Sequence, residues 1–308
     1  MTESRADSRF EAVVHRLDPY STLLRAWLLR GGVSAQVTAL EIKRADGRIE
    51  KLVVRLHGPT DLAHNPQIAA DEFKLLQIMQ AAGAPAPRPY FFDQSGAIFA
   101  TPYIVIEYIE GATQPAPGAD PIPQLAERLA QIHRIDGAQA ELSFLPRQAQ
   151  RYADMLRAQP SDADPSCDEA RMRRALEPIW PLAPRNGLVL LHGDFWPGNM
   201  LWQNDRLVAV IDWEDAAVGD PLADLANSRL ELLWAFGADA MQRFTQRYHA
   251  LAAVDLTQLP YWELGAALRR AGQIGQWGLD ERAERTMREQ LRWFIEQAFQ
   301  TLAMQSTA

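Results

Sequence analysis

An α+β chain of two lobes is predicted, and three observations predict it. The first third of the 308 residues carries short runs of strand character, and the remainder is dominated by long helical periodicities. One compact island, Leu188–Pro221, interrupts the helices with two short apolar runs that each end in polar residues. The segment Glu110–Gln124, rich in Gly, Pro and Ala, has no period and separates the two regions. We therefore expect a β-rich lobe over 1–109, a mainly helical lobe over 110–308, and a hinge at about 106–124.

The elements follow in order. Leu23, Leu24 and Trp27 suit a short amphipathic helix or the lead-in to a strand. Gln36–Lys43 and Ile49–His57 read as strands joined at Ala45-Asp46-Gly47, because Asp-Gly between such runs is a strong hairpin signal. Alternation in the second of them sets Leu52, Val54 and Leu56 on one face and Val53 and Arg55 on the other. The following helical pattern, about Asn65–Ala82, carries Glu72 on the same stripe as Ile68, Leu75, Leu76 and Met79. A carboxylate on an inward stripe is costly unless paired, so Arg55 and Glu72 are expected to meet. Strands at Tyr90–Phe92 and Tyr103–Ile109 complete the first lobe. Helices are expected at Ile122 onward, Gln148–Ala158, Asp168–Ile179, Leu222–Phe236, Ala238–Ala252, Tyr261–Gln276 and Glu281–Met304.

Composition narrows the function. A net charge of −8 argues against a nucleic-acid partner or a basic membrane-surface protein. The single cysteine, Cys167, allows no internal disulfide and no thiolate zinc cluster, which fits a reduced, cytoplasmic setting. Met1–Arg16 has no apolar run of a secretory signal, and no window approaches the length of a membrane span.

The chemistry concentrates in Leu188–Pro221. Leu188–Leu191 leads into His192, Gly193 and Asp194; Leu207–Ile211 leads into Asp212; Asn199 lies on the Pro197-Gly198 loop between them. Two carboxylates and a carboxamide delivered by neighbouring strand ends suit a site that holds a divalent cation and aligns a hydroxyl. Singly, each would be read as a cap or turn residue; the combination at this spacing favours function. His192 and His133 read as packed structural residues, and Trp196, Trp202 and Trp213 as packing. Glu214 fits a place near a metal and a solvated loop equally well.

The pattern His192-Gly193-Asp194-x-x-x-x-Asn199, then Ile211-Asp212-Trp213-Glu214 and Gly219-Asp220-Pro221-x-x-Asp224, resembles the aminoglycoside phosphotransferase and choline kinase family, relatives of the protein kinases. The resemblance runs from about Leu24 to Trp234. It implies a bilobal protein-kinase-like fold, with ATP or GTP between the lobes and transfer of the γ-phosphoryl group to a small-molecule hydroxyl. In that frame Asp194 is the catalytic base, Asn199 and Asp212 hold Mg²⁺, and Arg55, oriented by Glu72, contacts the nucleotide phosphates. The Gly31-Gly32 turn with Ser34 covers those phosphates, and Glu107, Tyr108 and Ile109 border the base. His192 and Asp224 stand behind the catalytic loop, Asp224 bracing its backbone.

Two departures stand out. Many members carry lysine where this chain has Arg55, and the glycine turn is shorter than G-x-G-x-x-G. The tail mixes Glu263, Glu284 and Glu296 with Arg269, Arg270 and Arg288, which at helical spacings reads as a solvated, self-paired face rather than an acidic wall for cationic aminoglycosides. A sugar, an amino alcohol or a homoserine-like acceptor is equally compatible. Two other classes compete: a catalytically silent nucleotide-binding protein of the same fold, and a metal-dependent hydrolase using His192 and Asp194.

Overall fold

A computed structural model describes residues 8–29, 35–137, 141–158 and 168–306. The expected phosphate-covering residues Gly31, Gly32 and Ser34, and positions 159–167, lie outside the described residues.

The first described element is α1 (Ser8–Leu17), a helix not anticipated from sequence, whose Phe10, Val13 and Val14 are buried. The run after it is a strand rather than a helix, β1 (Thr22–Leu28), and it pairs antiparallel with β2 (Ala35–Lys43). β2 turns back through Asp46-Gly47, with Gly47 at φ 83°, into β3 (Ile49–His57). A left-handed backbone here favours glycine. After α2 (Pro59–His64) and α3 (Ile68–Ala81) come β4 (Pro89–Asp93) and β5 (Tyr103–Glu107), and the sheet order is β1-β2-β3-β5-β4, antiparallel throughout.

Leu52 and Val54 of β3 join Leu40, Ile42, Val105, Tyr103 and the α1 residues in one apolar cluster. The opposite face of β3 carries Val53 and Arg55, both buried, and α3 buries Glu72 among Ile68, Leu75, Leu76 and Met79. The period of two in the strand and the helical stripe thus bring one cation and one anion to the same interior.

The helical part comprises α4 (Ile122–Ile132), α5 (Gln148–Arg157) and α6 (Glu169–Leu176), then α7 (Leu222–Leu251), α8 (Leu259–Ala271) and α9 (Glu281–Gln305). Gly237, at φ 85° and ψ 176°, breaks α7 at the boundary expected between two helices. The core here joins Leu230, Leu233, Leu264, Leu291 and Phe294. No described helix is long and apolar enough to cross a membrane.

The island between α6 and α7 holds β6 (Val189–Leu191), β7 (Met200–Gln203), β8 (Arg206–Val210) and β9 (Ala217–Gly219). The two strands expected to end as neighbours do not pair: β6 pairs with β9, and β8 with β7. Their period is correct, but a three-residue partner such as Ala217–Gly219 gives too short a pattern to read.

Two compact units result, Met1–Ala112 with Val208–Glu214, and Thr113–Leu207 with Asp215–Ala308. Val208–Glu214 lies late in the chain yet belongs with the strand-rich unit, where the Val210 N–H donates to the Pro85 carbonyl at 2.7 Å. The prolines after α3 leave that carbonyl outside any helix and available to it.

Candidate active site

In the first unit the guanidinium of Arg55 is the hub. Its Nη1 donates to Glu72 Oε1 at 2.9 Å, and its Nη2 to Asp212 Oδ1 at 2.7 Å and to Glu214 Oε2. Burial opposes the charge on Arg55, but Glu72, Asp212 and Glu214 outweigh it and hold the group protonated. A planar fork can serve several carboxylates at once where an ammonium is a point charge, a physical reason for arginine at this position. Glu214, though partly exposed, is therefore tied to Arg55. His57 lies 3.4 Å from Glu72 without a hydrogen-bonding alignment, and burial holds its imidazole below the usual histidine range.

Asp212 sits at φ 68°, a left-handed backbone that Asp tolerates better than most residues. One guanidinium thus faces three carboxylates, two of them, Asp212 and Glu214, partly exposed. This surplus of hard oxygen donors fits a divalent cation, and magnesium needs only one or two protein carboxylates beside phosphate and water oxygens. Among the described residues no group of three or more His, Cys, Asp or Glu is disposed as a protein-only metal cage.

At the end of β5 the N–H groups of Glu107 and Tyr108 already donate to the carbonyls of Arg88, at 2.8 Å, and Lys51, at 3.4 Å. Of the three residues expected to border the adenine, Ile109 has an amide outside these bonds among the described residues.

In the second unit, β6 delivers His192, Gly193 and Asp194 in one turn. The backbone N–H groups of His192 and Gly193 both donate to the Asp224 carboxylate, at 2.7 and 2.9 Å. Asp224 is buried in the first turn of α7, and His133 lies 3.3 Å from it while also contacting the Tyr248 hydroxyl at 2.6 Å. Burial raises the Asp224 carboxyl, but the His133 contact, the nearby His192 and the Gly193 N–H win, and its pKa lies below the ordinary value. Such a group stabilises the fold above the unfolded-state pKa, and the contribution is lost as pH falls through the lower, folded-state value. The wild type should therefore lose stability below about pH 4 more steeply than Asp224→Asn, which should be the less stable of the two at neutral pH. Urea midpoints across that range check this.

Gly193 is required twice over. Its φ is 82°, and a Cβ there would overlap the carbonyl oxygen of Asp215. Gly193→Ala should displace the loop and lower the melting temperature, measured by calorimetry, because neither neighbour is a flexible side-chain tip.

Asp194 itself is a quarter exposed, and Asn199 Nδ2 donates to its carbonyl at 3.0 Å and to its Oδ2 at 3.3 Å. The amide nitrogen of Asn199 is thereby committed, which leaves its oxygen as the atom able to meet a cation. His192 is fully buried, and its Nδ1 accepts the Asp194 N–H at 3.2 Å, a packing and loop-shaping position. Trp202 and Trp213 are buried, whereas Trp196 is 40 % exposed and covers Gly198.

Three residues depart from the solvated face that their spacing predicts. Arg269 and Arg270 reach Asp194 Oδ1 at 3.4 and 2.5 Å, and Glu231 Oε1 meets Arg270 at 2.9 Å. Glu263, assigned to the same face, is buried against Arg229 at 2.7 Å. The available signal is the apolar company of these residues in Leu264–Ala271, where adjacent arginines interrupt a buried stripe. The expectation holds farther along, where Glu284 and Arg288 form an i, i+4 rung and Glu296 is exposed.

Compared with known proteins, the chain matches the model of the phosphotransferase enzyme family over residues 28–268. Acyl-CoA dehydrogenase family member 10 of Mus musculus is 29 % identical over 198 residues, which are 58 % of this chain and 18 % of that protein. The chain spans only about a fifth of that relative, so the dehydrogenase name describes far more than the matched part. A crystal structure of a putative aminoglycoside phosphotransferase from Ralstonia eutropha JMP134 has a TM-score of 0.66 at 15 % identity, covering 96 % of this chain and 98 % of that one. Spectinomycin phosphotransferase in complex with ADP and spectinomycin has a TM-score of 0.60 at 16 % identity, covering 97 % and 99 %. At such identities the structural likeness establishes the protein-kinase-like fold. With the family model spanning most of its length, the chain belongs to the phosphotransferase enzyme family, that of the aminoglycoside phosphotransferases.

Proposed function

We propose that the chain transfers the γ-phosphoryl group of ATP or GTP to the hydroxyl of a small molecule. The observation that carries this reading is Asp194. It is a partly exposed carboxylate at a strand end, on a loop whose amides are fixed by Asp224 and whose side chain is met by Asn199. Phosphoryl transfer asks little covalent chemistry of a protein and much positioning, and a rigidly held, accessible carboxylate supplies it. The acceptor oxygen forms the new bond to phosphorus as the bond from phosphorus to the bridging oxygen breaks. Asp194 takes the hydroxyl proton and the nucleoside diphosphate leaves.

Asn199 and Asp212 are the residues that would hold Mg²⁺; the ion, when bound, neutralises phosphate charge. Arg55, anchored by Glu72, would meet the nucleotide phosphates, and its present hold on Asp212 and Glu214 would be exchanged for them. Ile109 would offer its N–H to the base. The ADP in the spectinomycin phosphotransferase complex supports a nucleotide co-substrate.

A screen of aminoglycosides, amino alcohols, hydroxy acids and sugars coupled to nucleotide consumption tests the reading, with Asp194→Asn as the blank. Acceptor-dependent consumption in the wild type alone supports it. The catalytically silent alternative draws on one observation, that Arg55 replaces the frequent lysine and is held by three carboxylates. Nucleotide binding without transfer to any acceptor would decide for it.

A further inference from the structure

We propose, resting on the phosphotransferase reading above, that the acceptor is a hydroxycarboxylate whose carboxylate is received by Arg270. Asp194 Oδ1 is held by two guanidiniums from the last turn of α8, Arg270 at 2.5 Å and Arg269 at 3.4 Å. These two arginines are not equivalent. Arg269 spends its donors on the loop and on α7, Nη1 on the Gly193 carbonyl at 3.0 Å and Nη2 on Asn227 Oδ1 at 3.1 Å, so it is a positioning residue. Arg270 gives Nη1 to Gln273 at 3.1 Å and Nη2 to Asp194 and Glu231, and its Nε–H is buried with no hydrogen-bond acceptor among the described residues. A half-buried cation, its side chain 14 % exposed, with an unspent donor beside the base can take up another oxygen.

The pairing also constrains turnover. Both guanidiniums hold Oδ1 of Asp194, which is less free to accept a hydroxyl proton than Oδ2, met by Asn199 Nδ2 at 3.3 Å. An acceptor that brings its own carboxylate gives Arg270 a replacement partner of matching geometry and frees Asp194 in the same event. A neutral acceptor provides no such exchange, and an ammonium group would be repelled by two guanidiniums of like charge. A phosphate ester would bring a second negative charge next to Asp194, Glu231 and the transferring phosphoryl group, which disfavours it against a single carboxylate. The guanidiniums therefore select by charge as well as by shape.

The test compares kcat/KM for a hydroxycarboxylate, its carboxamide, its phosphate-ester counterpart and an aminoglycoside, in the full chain with Mg²⁺ and nucleotide. The wild type should favour the carboxylate over the carboxamide by a factor of about 10 to 150. Arg270→Gln should collapse that ratio toward unity, whatever it does to the absolute rate. Because the single variant strands Glu231, the double variant R270Q/E231Q, which keeps buried charges matched, is measured beside it and should show the same collapse. The inference is overturned if the carboxamide, the phosphate ester or the aminoglycoside is used as well as the carboxylate, or if the ratio survives in both variants. Absence of acceptor-dependent transfer from every class, with nucleotide still bound, overturns the phosphotransferase reading and this inference with it.

Discussion

Replacing Asp194 with asparagine is expected to reduce kcat by about 10² to 10⁴ while leaving the affinity for the magnesium nucleotide within a few-fold of wild type. The amide is isosteric, and its single oxygen can still accept from the Arg270 guanidinium, while the loop is held by bonds to its backbone, from the His192 and Gly193 N–H groups to Asp224 and from Asn199 Nδ2–H to the residue 194 carbonyl. What it loses is the ability to take a proton. Removal of a group acting only in the transition state lowers kcat and kcat/KM together, and steady-state kinetics with the identified acceptor reads this directly. Equal turnover by the variant would remove Asp194 from the chemistry.

The second large effect is on stability. Arg55→Met should destabilise the fold by about 3–5 kcal/mol, because it leaves Glu72 uncompensated among the apolar residues of α3. Glu72 has a side chain 4 % exposed, and the guanidinium is its sole hydrogen-bonding partner with full geometry among the described residues. Asp212 and Glu214 can turn to water more readily, with side chains 35 % and 20 % exposed. Arg55→Lys should fall between the two, since an ammonium keeps the charge but loses the fork. Urea denaturation at neutral pH measures the series; a methionine variant as stable as wild type would contradict the buried-pair account.

That buried pair is legible in the amino-acid sequence, and the reason is periodicity. A period of two in Leu52–Leu56 and a helical stripe through Glu72 predict it, because both patterns are enforced by burial within single elements. The dense run from His192 to Asp224 is legible for a different reason: turns that must aim particular atoms need Gly, Pro, Asp and Asn at fixed offsets. What stays hidden depends on separation. Arg270 lies 76 residues from Asp194, and its spacing on α8 is equally that of a surface arginine. The hub at Arg55 draws in Glu214, 159 residues away, because Val208–Glu214 rejoins the first unit, which no local pattern announces. The partner of β6 is three residues long, below the length at which alternation carries information.

Those hidden contacts alter the chemistry rather than decorate it. With Arg269 and Arg270 counted as solvated, the tail gives no reason to prefer one acceptor over another. With both against Asp194, acceptor charge enters the proposal for how that carboxylate would be freed. Likewise the N–H groups of Glu107 and Tyr108 are spent within the strand-rich unit, so neither is free to donate to a nucleobase as these bonds stand.

The most direct test of the central claim is the fate of a label placed on the γ-phosphate of the nucleotide. With wild type and an accepted hydroxyl compound, the label should appear on that compound in amounts equal to the nucleoside diphosphate formed, and Asp194→Asn should yield almost none. Label recovered only as inorganic phosphate, or transferred equally well by the variant, would contradict it.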